Sequence, residues 1–265
     1  MFSLEIDGLT KRFGGVTAVN NVNFSISQDS EEGQIVGIIG PNGAGKTTML
    51  SMINGFLKPT EGKIILNKRP IQNLRPDLIC KFHGVARTFQ VNKLLASLTV
   101  LENVMTGAHI RFKSNVFTTV LGLKKSSKEE SETREIAIDL LKQLQLEMVM
   151  YRKASELSYG SRRIIELAKA IMSRPVLLLA DEPFAGLNTG EKAKLVEVFQ
   201  WVKSQGVVVF LVEHDIRTLV SLCSRMIVLN NGKKLTEGLP DVVINDPAVK
   251  EAYLGKKGLG HAQNR

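Results

Sequence analysis

Three short apolar runs divide the chain: IVGII at 35–39, VLLLA at 176–180 and VVVFLV at 207–212. Their length and their content of β-branched residues favour strands over helices. Because the runs have no polar face, they predict strands that are buried on both sides, as in the middle of a parallel sheet. Helical patterns follow each run, and this alternation predicts an α/β fold.

The clearest helical pattern lies in TGEKAKLVEVFQWVKSQG, between the second and third runs. Leu195, Val198, Phe199 and Val202 recur at the spacing i, i+3, i+4, i+7, which predicts one buried helix face. Gly206 stands where such a helix would end, since glycine accepts the backbone conformation that terminates helices.

The two ends of the chain alternate apolar with polar residues. LEIDGLTKRF, VNNVNFSIS and GKIILNKRPI show this period of two, which predicts half-buried antiparallel strands. RMIVLNNGKKLTEG predicts a β-hairpin with Asn231-Gly232 at its turn.

The stretch from about 92 to 160 breaks the α/β rhythm. VLENVMTGAHIRF and SETREIAIDLLKQLQL have helical patterns, and Ile136, Leu140 and Leu144 predict a one-sided apolar stripe in the second. The polar GLKKSSKEESE between them predicts a solvated loop or a helix end. We therefore predict one domain over 1–255, with an α/β core of about 1–90 and 161–255 and an inserted helical subdomain of about 91–160. Residues 256–265 are predicted to form a disordered tail.

Composition narrows the class of protein. With 43% hydrophobic and 23% charged residues, the chain of 265 residues has the composition of a soluble globular protein. The net charge of +9 is spread along the sequence, which favours a solvated basic face over contact with anionic lipid, and leaves nucleic acid as the weakest reading. Cys80 and Cys223 are far apart, as expected of packed thiols in a reducing compartment. No signal core and no apolar run of about 20 residues is present, so we expect a cytoplasmic protein that reaches membranes through a partner.

A phosphate-binding loop follows the first run. The sequence GPNGAGKT fits G-x-x-x-x-G-K-[ST], with a predicted strand before it and a helical pattern after it. Its glycines allow backbone N–H groups to surround phosphate oxygens, and the helix N-terminus adds partial positive charge. Lys46 can reach the outer phosphates, and the Thr47 hydroxyl can ligate Mg²⁺. The predicted ATP-binding residues of this loop are Gly40, Pro41, Asn42, Gly43, Ala44, Gly45, Lys46, Thr47 and Thr48.

Two acidic residues end the second run. Asp181, beside the phosphate-binding loop in a parallel sheet, can hold Mg²⁺. Glu182 follows directly and can act as general base on an attacking water. Together with the loop, these residues predict an enzyme that hydrolyses ATP with Mg²⁺.

A further motif narrows the class. LSYGSRR at 157–163 precedes a helical pattern and resembles the LSGGQ-like signature of ATP-binding cassette (ABC) ATPases. The chain resembles an ABC transporter ATPase subunit over roughly residues 4–255. The resemblance implies the ABC-type cassette of P-loop NTPases: a mostly parallel core sheet, an antiparallel β subdomain and an inserted α-helical subdomain.

The resemblance assigns further residues to the site. Phe13 matches the aromatic residue that stacks on adenine, and His214 matches the histidine that contacts the γ-phosphate. Gln90 matches the glutamine that senses Mg²⁺ and γ-phosphate at the junction with the helical subdomain. AGLN at 185–188 resembles the loop that crosses to a partner subunit.

The signature is expected to serve the nucleotide of another subunit. In the family, two ATPase subunits pack head to tail, so Ser158 and Gly160 would contact the partner's ATP. A hydroxyl and backbone amides at a helix N-terminus are anion-binding groups, which agrees with this role. Ser161 departs from the usual Gln or Glu, which leaves nucleotide affinity or partner choice open. Tyr159 in place of glycine occurs in one branch of the family.

Branch markers point to a transported substrate. RTFQ, LSYG, AGLN, EHD, EAYLG at 251–255 and the insert at 111–134 resemble ATPases of branched-chain amino acid importers. Urea or amide importers and lipopolysaccharide exporters remain alternatives. A soluble ABC ATPase acting on DNA or the ribosome is disfavoured, because the chain has one cassette and no sustained heptads. A regulatory subunit with little turnover is disfavoured because the catalytic residues are all present.

The resemblance also implies partners. We expect membrane permease subunits, a second ABC ATPase subunit in a homo- or heterodimer and, indirectly, an extracytoplasmic solute-binding protein, but no nucleic acid. The expected location is the cytoplasmic face of the inner membrane. The apolar stretch VNKLLASLTVLENV is either a landing site for a permease helix or part of the core of the helical subdomain.

Overall fold

Two β-sheets organise the protein, whose computed structural model describes residues 2–88, 94–111 and 124–259. The antiparallel sheet has the order β2-β1-β4-β5. Its strands are β1 Phe2–Phe13, β2 Val16–Gln28, β4 Glu61–Leu66 and β5 Arg69–Pro70. The second sheet, with the order β10-β9-β3-β8-β7-β6, is parallel except for β10. Its strands are β3 Ile35–Ile39, β6 Val85–Thr88, β7 Leu177–Asp181, β8 Val208–Val212, β9 Arg225–Asn230 and β10 Lys233–Gly238.

Helices connect and cover the strands. Those before β7 are α1 Lys46–Ile53, α2 Pro76–His83, α3 Val100–Met105, α4 Lys124–Gln143 and α5 Tyr159–Ile171. Those after β7 are α6 Thr189–Ser204, α7 Ile216–Leu222, α8 Pro240–Asn245 and α9 Pro247–Leu259. A 3₁₀ helix, Thr106–Arg111, continues α3, and two short 3₁₀ turns, Glu147–Val149 and Ala154–Glu156, lie before α5.

The three apolar runs form the centre of the second sheet, as predicted. Strands β3, β7 and β8 are buried at every position. Alternate side chains of each strand enter two different cores, because successive residues of a strand point to opposite faces. Val36, Ile38 and Phe210 pack towards the antiparallel sheet and α1, whereas Ile35, Val209 and Leu211 pack towards α3–α6. The sheet is thus the middle layer of three.

The alternating segments behave as predicted. β1 pairs antiparallel with β2 and with β4, and β9 and β10 form the hairpin. Asn231 and Gly232 at its turn have φ values of 46° and 77°, and left-handed conformations at both positions suit a tight hairpin turn. In α6 the four predicted positions are buried, and Gly206 follows the helix end with φ of 80°.

The helical segment departs from the sequence analysis in detail. Helix α4 begins at Lys124, inside the polar stretch, where a helix end was one of the two predicted alternatives. Leu140 and Leu144 are buried, but placing Ile136 in the stripe was wrong, because it is 39% exposed while Ala137 is fully buried. The buried face of α4 is formed by Ala137, Leu140, Leu141 and Leu144, so it includes two of the three predicted positions and excludes Ile136.

Helix α3 decides between the two interpretations of VNKLLASLTVLENV only for its own apolar side chains. Val100, Leu101 and Val104 are buried in the core that α3 shares with α5. These side chains of VNKLLASLTVLENV therefore belong to the core, and they are not available to a permease helix.

The predicted boundaries of the subdomains remain a prediction. Helix α9 continues to Leu259, beyond residue 256, where the tail was predicted to begin. Within the described ranges, no helix is long and apolar enough to cross a membrane.

Candidate nucleotide site

The phosphate-binding loop joins the buried end of β3 to the start of α1. Gly40, Gly43 and Gly45 have positive φ values of 151°, 81° and 98°. A Cβ on Gly45 would lie 2.5 Å from the Ala18 carbonyl oxygen, and one on Gly40 would lie 2.1 Å from that of Leu229. Glycine is therefore required at both positions, because the conformation and the close backbone approach exclude a side chain.

Lys46 is the cation of this loop. It is only 6% exposed, and its Nζ donates hydrogen bonds to the carbonyl oxygens of Gly40 at 2.6 Å and Pro41 at 3.1 Å. The ammonium group is thus held against the loop backbone by neutral acceptors. A phosphate oxygen is a stronger acceptor for an ammonium group, so the loop can exchange these contacts for a nucleotide.

Two oxygen donors lie side by side at the base of the loop. The Thr47 hydroxyl is 3.4 Å from Asp181 Oδ1, and Asp181 is 1% exposed at the end of β7. Its other oxygen, Oδ2, accepts a hydrogen bond of 2.9 Å from Arg87. Hard oxygen donors are the ligands that Mg²⁺ prefers, and Mg²⁺ commonly takes few protein ligands, with water and phosphate completing its shell. Two adjacent protein oxygens of this kind suit a metal whose remaining ligands come from water and a nucleotide's phosphates.

Glu182 and His214 meet at the ends of β7 and β8. His214 Nε2 and Glu182 Oε1 share a hydrogen bond of 2.7 Å. Glu182 has a φ of 50°, an uncommon value for a side chain of this size, and its N–H donates to the Val212 carbonyl at 2.9 Å. Strained backbone of this kind is frequent at functional sites, where it fixes the direction of a side chain.

Glu213 lies between the end of β8 and His214, and the sequence analysis did not single it out. It is 4% exposed, and its carboxylate accepts hydrogen bonds from the backbone N–H groups of Phe184, at 2.8 Å, and His214, at 3.3 Å. Burial raises the pKa of Glu213, and the two N–H groups partly oppose this. The side chain ties the segment after Glu182 to the segment carrying His214. Only its place at a buried strand end could have indicated this role.

The signature motif begins α5. Ser158 is the N-cap, and its hydroxyl accepts a hydrogen bond from the Ser161 N–H at 3.2 Å. The Gly160 N–H donates to Glu191 Oε1 at 3.2 Å, and the Ser158 hydroxyl donates to the same oxygen at 3.3 Å. A carboxylate of this chain therefore occupies the anion-binding groups of the signature.

Glu191 also caps α6, after the AGLN loop. Its Oε2 accepts from the Asn188 N–H at 3.2 Å, while Asn188 Oδ1 accepts from the Glu191 N–H at 2.9 Å. This capping box was not recognised from the sequence, although the spacing N-x-x-E is its signal. One side chain thus links the signature to the loop that resembles a subunit crossing.

Tyr159 and Ser161 differ from the usual signature. Arg163 donates a 2.6 Å hydrogen bond to the Tyr159 hydroxyl. It also forms an ion pair with Glu166 at 3.1 Å. The tyrosine ring is 43% exposed but fixed at its hydroxyl end. The Ser161 hydroxyl lies 3.2 Å from that of Ser158, so the shorter side chain contacts the signature serine itself.

The remaining predicted site residues have different outcomes. Phe13 ends β1 with its ring 47% exposed and Lys11 Nζ at 5.1 Å from the ring centre. Gln90 lies outside the described residues. The structure brings the phosphate-binding loop, Asp181, Glu182 and His214 to the carboxyl edge of β3, β7 and β8. The Ser158 hydroxyl and the Gly160 N–H instead share an acceptor on α6, the carboxylate of Glu191.

Comparisons with known proteins agree with this geometry. The family model for ABC transporters matches residues 19–185, and one for branched-chain amino acid ATP-binding cassette transporters matches residues 233–258. The high-affinity branched-chain amino acid transport ATP-binding protein BraF of Pseudomonas aeruginosa is 39% identical over 96% of this chain and 98% of its own length. The chain belongs to the ATP-binding subunits of ABC transporters, which are ATPases coupled to transport. Within that class it belongs with the branched-chain amino acid transport ATP-binding proteins.

Solved structures share the fold. The ADP conformation of MJ1267, an ATP-binding cassette of an ABC transporter, superposes with a TM-score of 0.82 at 32% identity, covering 96% of this chain and 99% of that one. The ATP-binding cassette MJ0796, solved as a dimer in a post-hydrolysis state with ADP and Pi, gives a TM-score of 0.72 at 28% identity, covering 89% and 98%. The predicted ABC cassette fold is confirmed, and so is the prediction of a nucleotide-binding ATPase.

Proposed function

We propose that this chain powers an importer for branched-chain or other hydrophobic amino acids, by hydrolysing ATP in a head-to-tail dimer of ATPase subunits. The observation that carries the proposal is the hydrogen bond between Glu182 and His214, beside Asp181 and the phosphate-binding loop. The match over residues 233–258 supports the branched-chain substrate.

The loop of residues 40–48 binds the phosphates. Lys46 gives up its contacts with the Gly40 and Pro41 carbonyls and pairs with the outer phosphates, whose charge favours this exchange. Phe13 stacks on the adenine, for which an exposed ring at the end of a strand is suited.

Hydrolysis depends on the carboxylate of Glu182. It accepts a proton from the attacking water, and its strained backbone directs the side chain towards the γ-phosphate. His214 orients Glu182 through their shared hydrogen bond and contacts the γ-phosphate. When bound, Mg²⁺ neutralises charge that develops on the phosphates, and Thr47, Asp181 and Gln90 are the residues that would hold it.

The partner subunit completes the site. Ser158 and Gly160 bind the γ-phosphate of the partner's ATP, in place of the Glu191 carboxylate that they contact in the single subunit. Contacts made only across the dimer favour the closed state over the open one, and hydrolysis removes them. The dimeric form of the related cassette MJ0796 supports this arrangement.

A groove beside β6 is the site we propose for a permease helix. It has a volume of about 370 Å³, and its lining includes Phe56, Cys80, Thr106, Gly107 and Lys169. Phe56, one of the lining residues, is 56% exposed. Residues of β6, the strand that precedes Gln90 in the sequence, line the groove, so an occupant would contact this strand.

The proposed location is the cytoplasmic face of the inner membrane, with the subunit bound to its permease. An extracytoplasmic binding protein delivers the amino acid without touching this chain. These assignments rest on membership of the branched-chain branch.

The experiment is affinity capture of the tagged subunit from gently solubilised native membranes, with partners identified by mass spectrometry. We expect two polytopic permease subunits, a second ATPase and an amino-acid-binding protein. Phe56→Glu should lose the permeases, while Phe82→Glu, at a residue 65% exposed and outside the groove lining, should retain them. Lipid-export partners, or ribosomal or DNA-repair partners alone, would contradict the proposal.

A further inference from the structure

Arg87 is a buried arginine that the proposed reaction does not yet use. It lies on β6, one residue before the end of the described segment at Thr88, and its side chain is 9% exposed. One nitrogen, NH2, donates to Asp181 Oδ2 at 2.9 Å, and Asp181 is itself 1% exposed. Both members of this ion pair are therefore shielded from water, and salt screens buried pairs much less than exposed ones.

The second nitrogen of the guanidinium reaches α1. NH1 donates to the Ser51 hydroxyl at 2.8 Å, and that hydroxyl donates to the Thr47 carbonyl at 2.7 Å. Arg87 thus bridges the strand that ends in Asp181 and the helix that begins with Lys46 and Thr47. The planar fork of arginine suits two partners in fixed directions, whereas a lysine ammonium is a point charge on a flexible stem.

This bridge gives the two oxygens of Asp181 different tasks. Because Oδ2 is engaged by Arg87, Oδ1 is the oxygen turned towards the Thr47 hydroxyl, at 3.4 Å. Without Arg87, the carboxylate would be free to rotate and would retain an uncompensated buried charge. Residues that hydrogen-bond to a metal-binding carboxylate commonly set its direction and its affinity.

We propose that Arg87 is a positioning residue that holds Asp181 with Oδ1 directed at the magnesium of bound ATP. The inference rests on the proposed function, since it takes Thr47 and Asp181 as the metal-holding residues. In this proposal Arg87 acts on the metal through its ion pair with Asp181. It therefore affects the metal-dependent part of nucleotide binding and leaves the contacts of the phosphate-binding loop unchanged.

The test measures ATP binding by the purified full-length subunit, first in EDTA and then with increasing Mn²⁺ as the paramagnetic probe. Binding is followed with a fluorescent ATP analogue, and the coordination of Mn²⁺ by electron paramagnetic resonance. In Arg87→Gln and Arg87→Lys we expect ATP affinity in EDTA within about twofold of wild type. We expect the half-saturating Mn²⁺ concentration to rise at least about tenfold, within the range seen for residues that support metal ligands.

Two further variants make the result specific. Arg75→Gln removes a positive charge from an exposed arginine that pairs with Asp77, and it should leave both measurements unchanged. Ser51→Ala keeps the ion pair but removes its second anchor, and it should raise the Mn²⁺ requirement by a smaller factor. Thermal melting without nucleotide shows whether the Arg87 variants fold. If they do not, Ser51→Ala still tests the role of Arg87.

The outcomes separate this inference from the proposed function. A wild-type protein whose ATP binding does not respond to Mn²⁺ would refute the metal site itself. A normal wild-type response with unchanged Mn²⁺ titrations in Arg87→Gln and Ser51→Ala would refute only the role of Arg87. If the Arg87 variants lost as much ATP affinity in EDTA as in Mn²⁺, Arg87 would support only the phosphate-binding loop, and the inference would be refuted. If Arg87→Lys behaved like the wild-type protein, the two-pronged guanidinium group would not be needed.

Discussion

Replacing Glu182 by glutamine removes the proposed general base while keeping the size and most hydrogen bonds of the side chain. A positioned base contributes about 10²–10⁴-fold to a rate, which corresponds to about 3–5 kcal/mol of transition-state stabilisation. We therefore expect Glu182→Gln to lose at least about 99% of its ATPase rate.

The fold should tolerate this change. The Glu182 and His214 side chains are 27% and 43% exposed, and pairs open to solvent contribute only about 0–1 kcal/mol to stability. The backbone bond from the Glu182 N–H to the Val212 carbonyl does not involve the side chain. The melting temperature and the affinity for ATP should therefore remain close to those of wild type.

The assay combines phosphate release at saturating ATP and Mg²⁺ with size-exclusion chromatography in ATP. Glu182→Gln should elute as a dimer, because ATP closes the dimer and is not consumed. Glu197→Gln, at an exposed glutamate of α6, is the matched control and should keep wild-type turnover. A Glu182→Gln subunit with full ATPase activity would refute the role of Glu182 as base.

Three more predictions test other parts of the account. Lys46→Ala should abolish ATP binding measured by calorimetry, since the loop loses its buried cation, and an unchanged affinity would contradict the phosphate-binding role. Ser158→Arg should leave ATP binding by the monomer nearly intact yet block hydrolysis; loss of monomer binding would place Ser158 in its own subunit's site. Burial raises the pKa of Cys223 to about 12, so its thiol stays protonated in the folded state while it ionises in the unfolded state. The contribution of this thiol to the free energy of unfolding should be fully present below pH 9 and should fall above it, by about 1.4 kcal/mol at pH 10. Urea titrations of Cys223→Ala should lack this pH-dependent loss.

The central strands of the second sheet, β3, β7 and β8, could be predicted because they are buried on both faces. Such strands give short, continuous apolar runs in the sequence. The glycines and Lys46 could be predicted because their chemistry is local to one turn. Ile136 was misplaced because a helical stripe gives the period of the apolar positions, whereas the packing partner decides which of two adjacent rows is buried. For α4, that partner is α3.

Residues that act across the fold could not be found in this way. Arg87 and Asp181 are 94 positions apart, and the Gly160 N–H meets Glu191 from 31 positions away. Their spacing follows from the order of strands in the sheet and the packing of helices, which short motifs do not encode. The capping box of Asn188 and Glu191 had a local signal, but its link to the signature did not.

The most direct test of the shared site mixes two inactive subunits, Lys46→Ala and Ser158→Arg, and measures ATP hydrolysis. A head-to-tail dimer of the two contains one site with an intact loop from the Ser158→Arg subunit and an intact signature from the Lys46→Ala subunit. The account predicts that the mixture regains activity that neither subunit shows alone. A mixture that stays inactive at every ratio, under conditions where wild-type subunits dimerise and hydrolyse ATP, would contradict it.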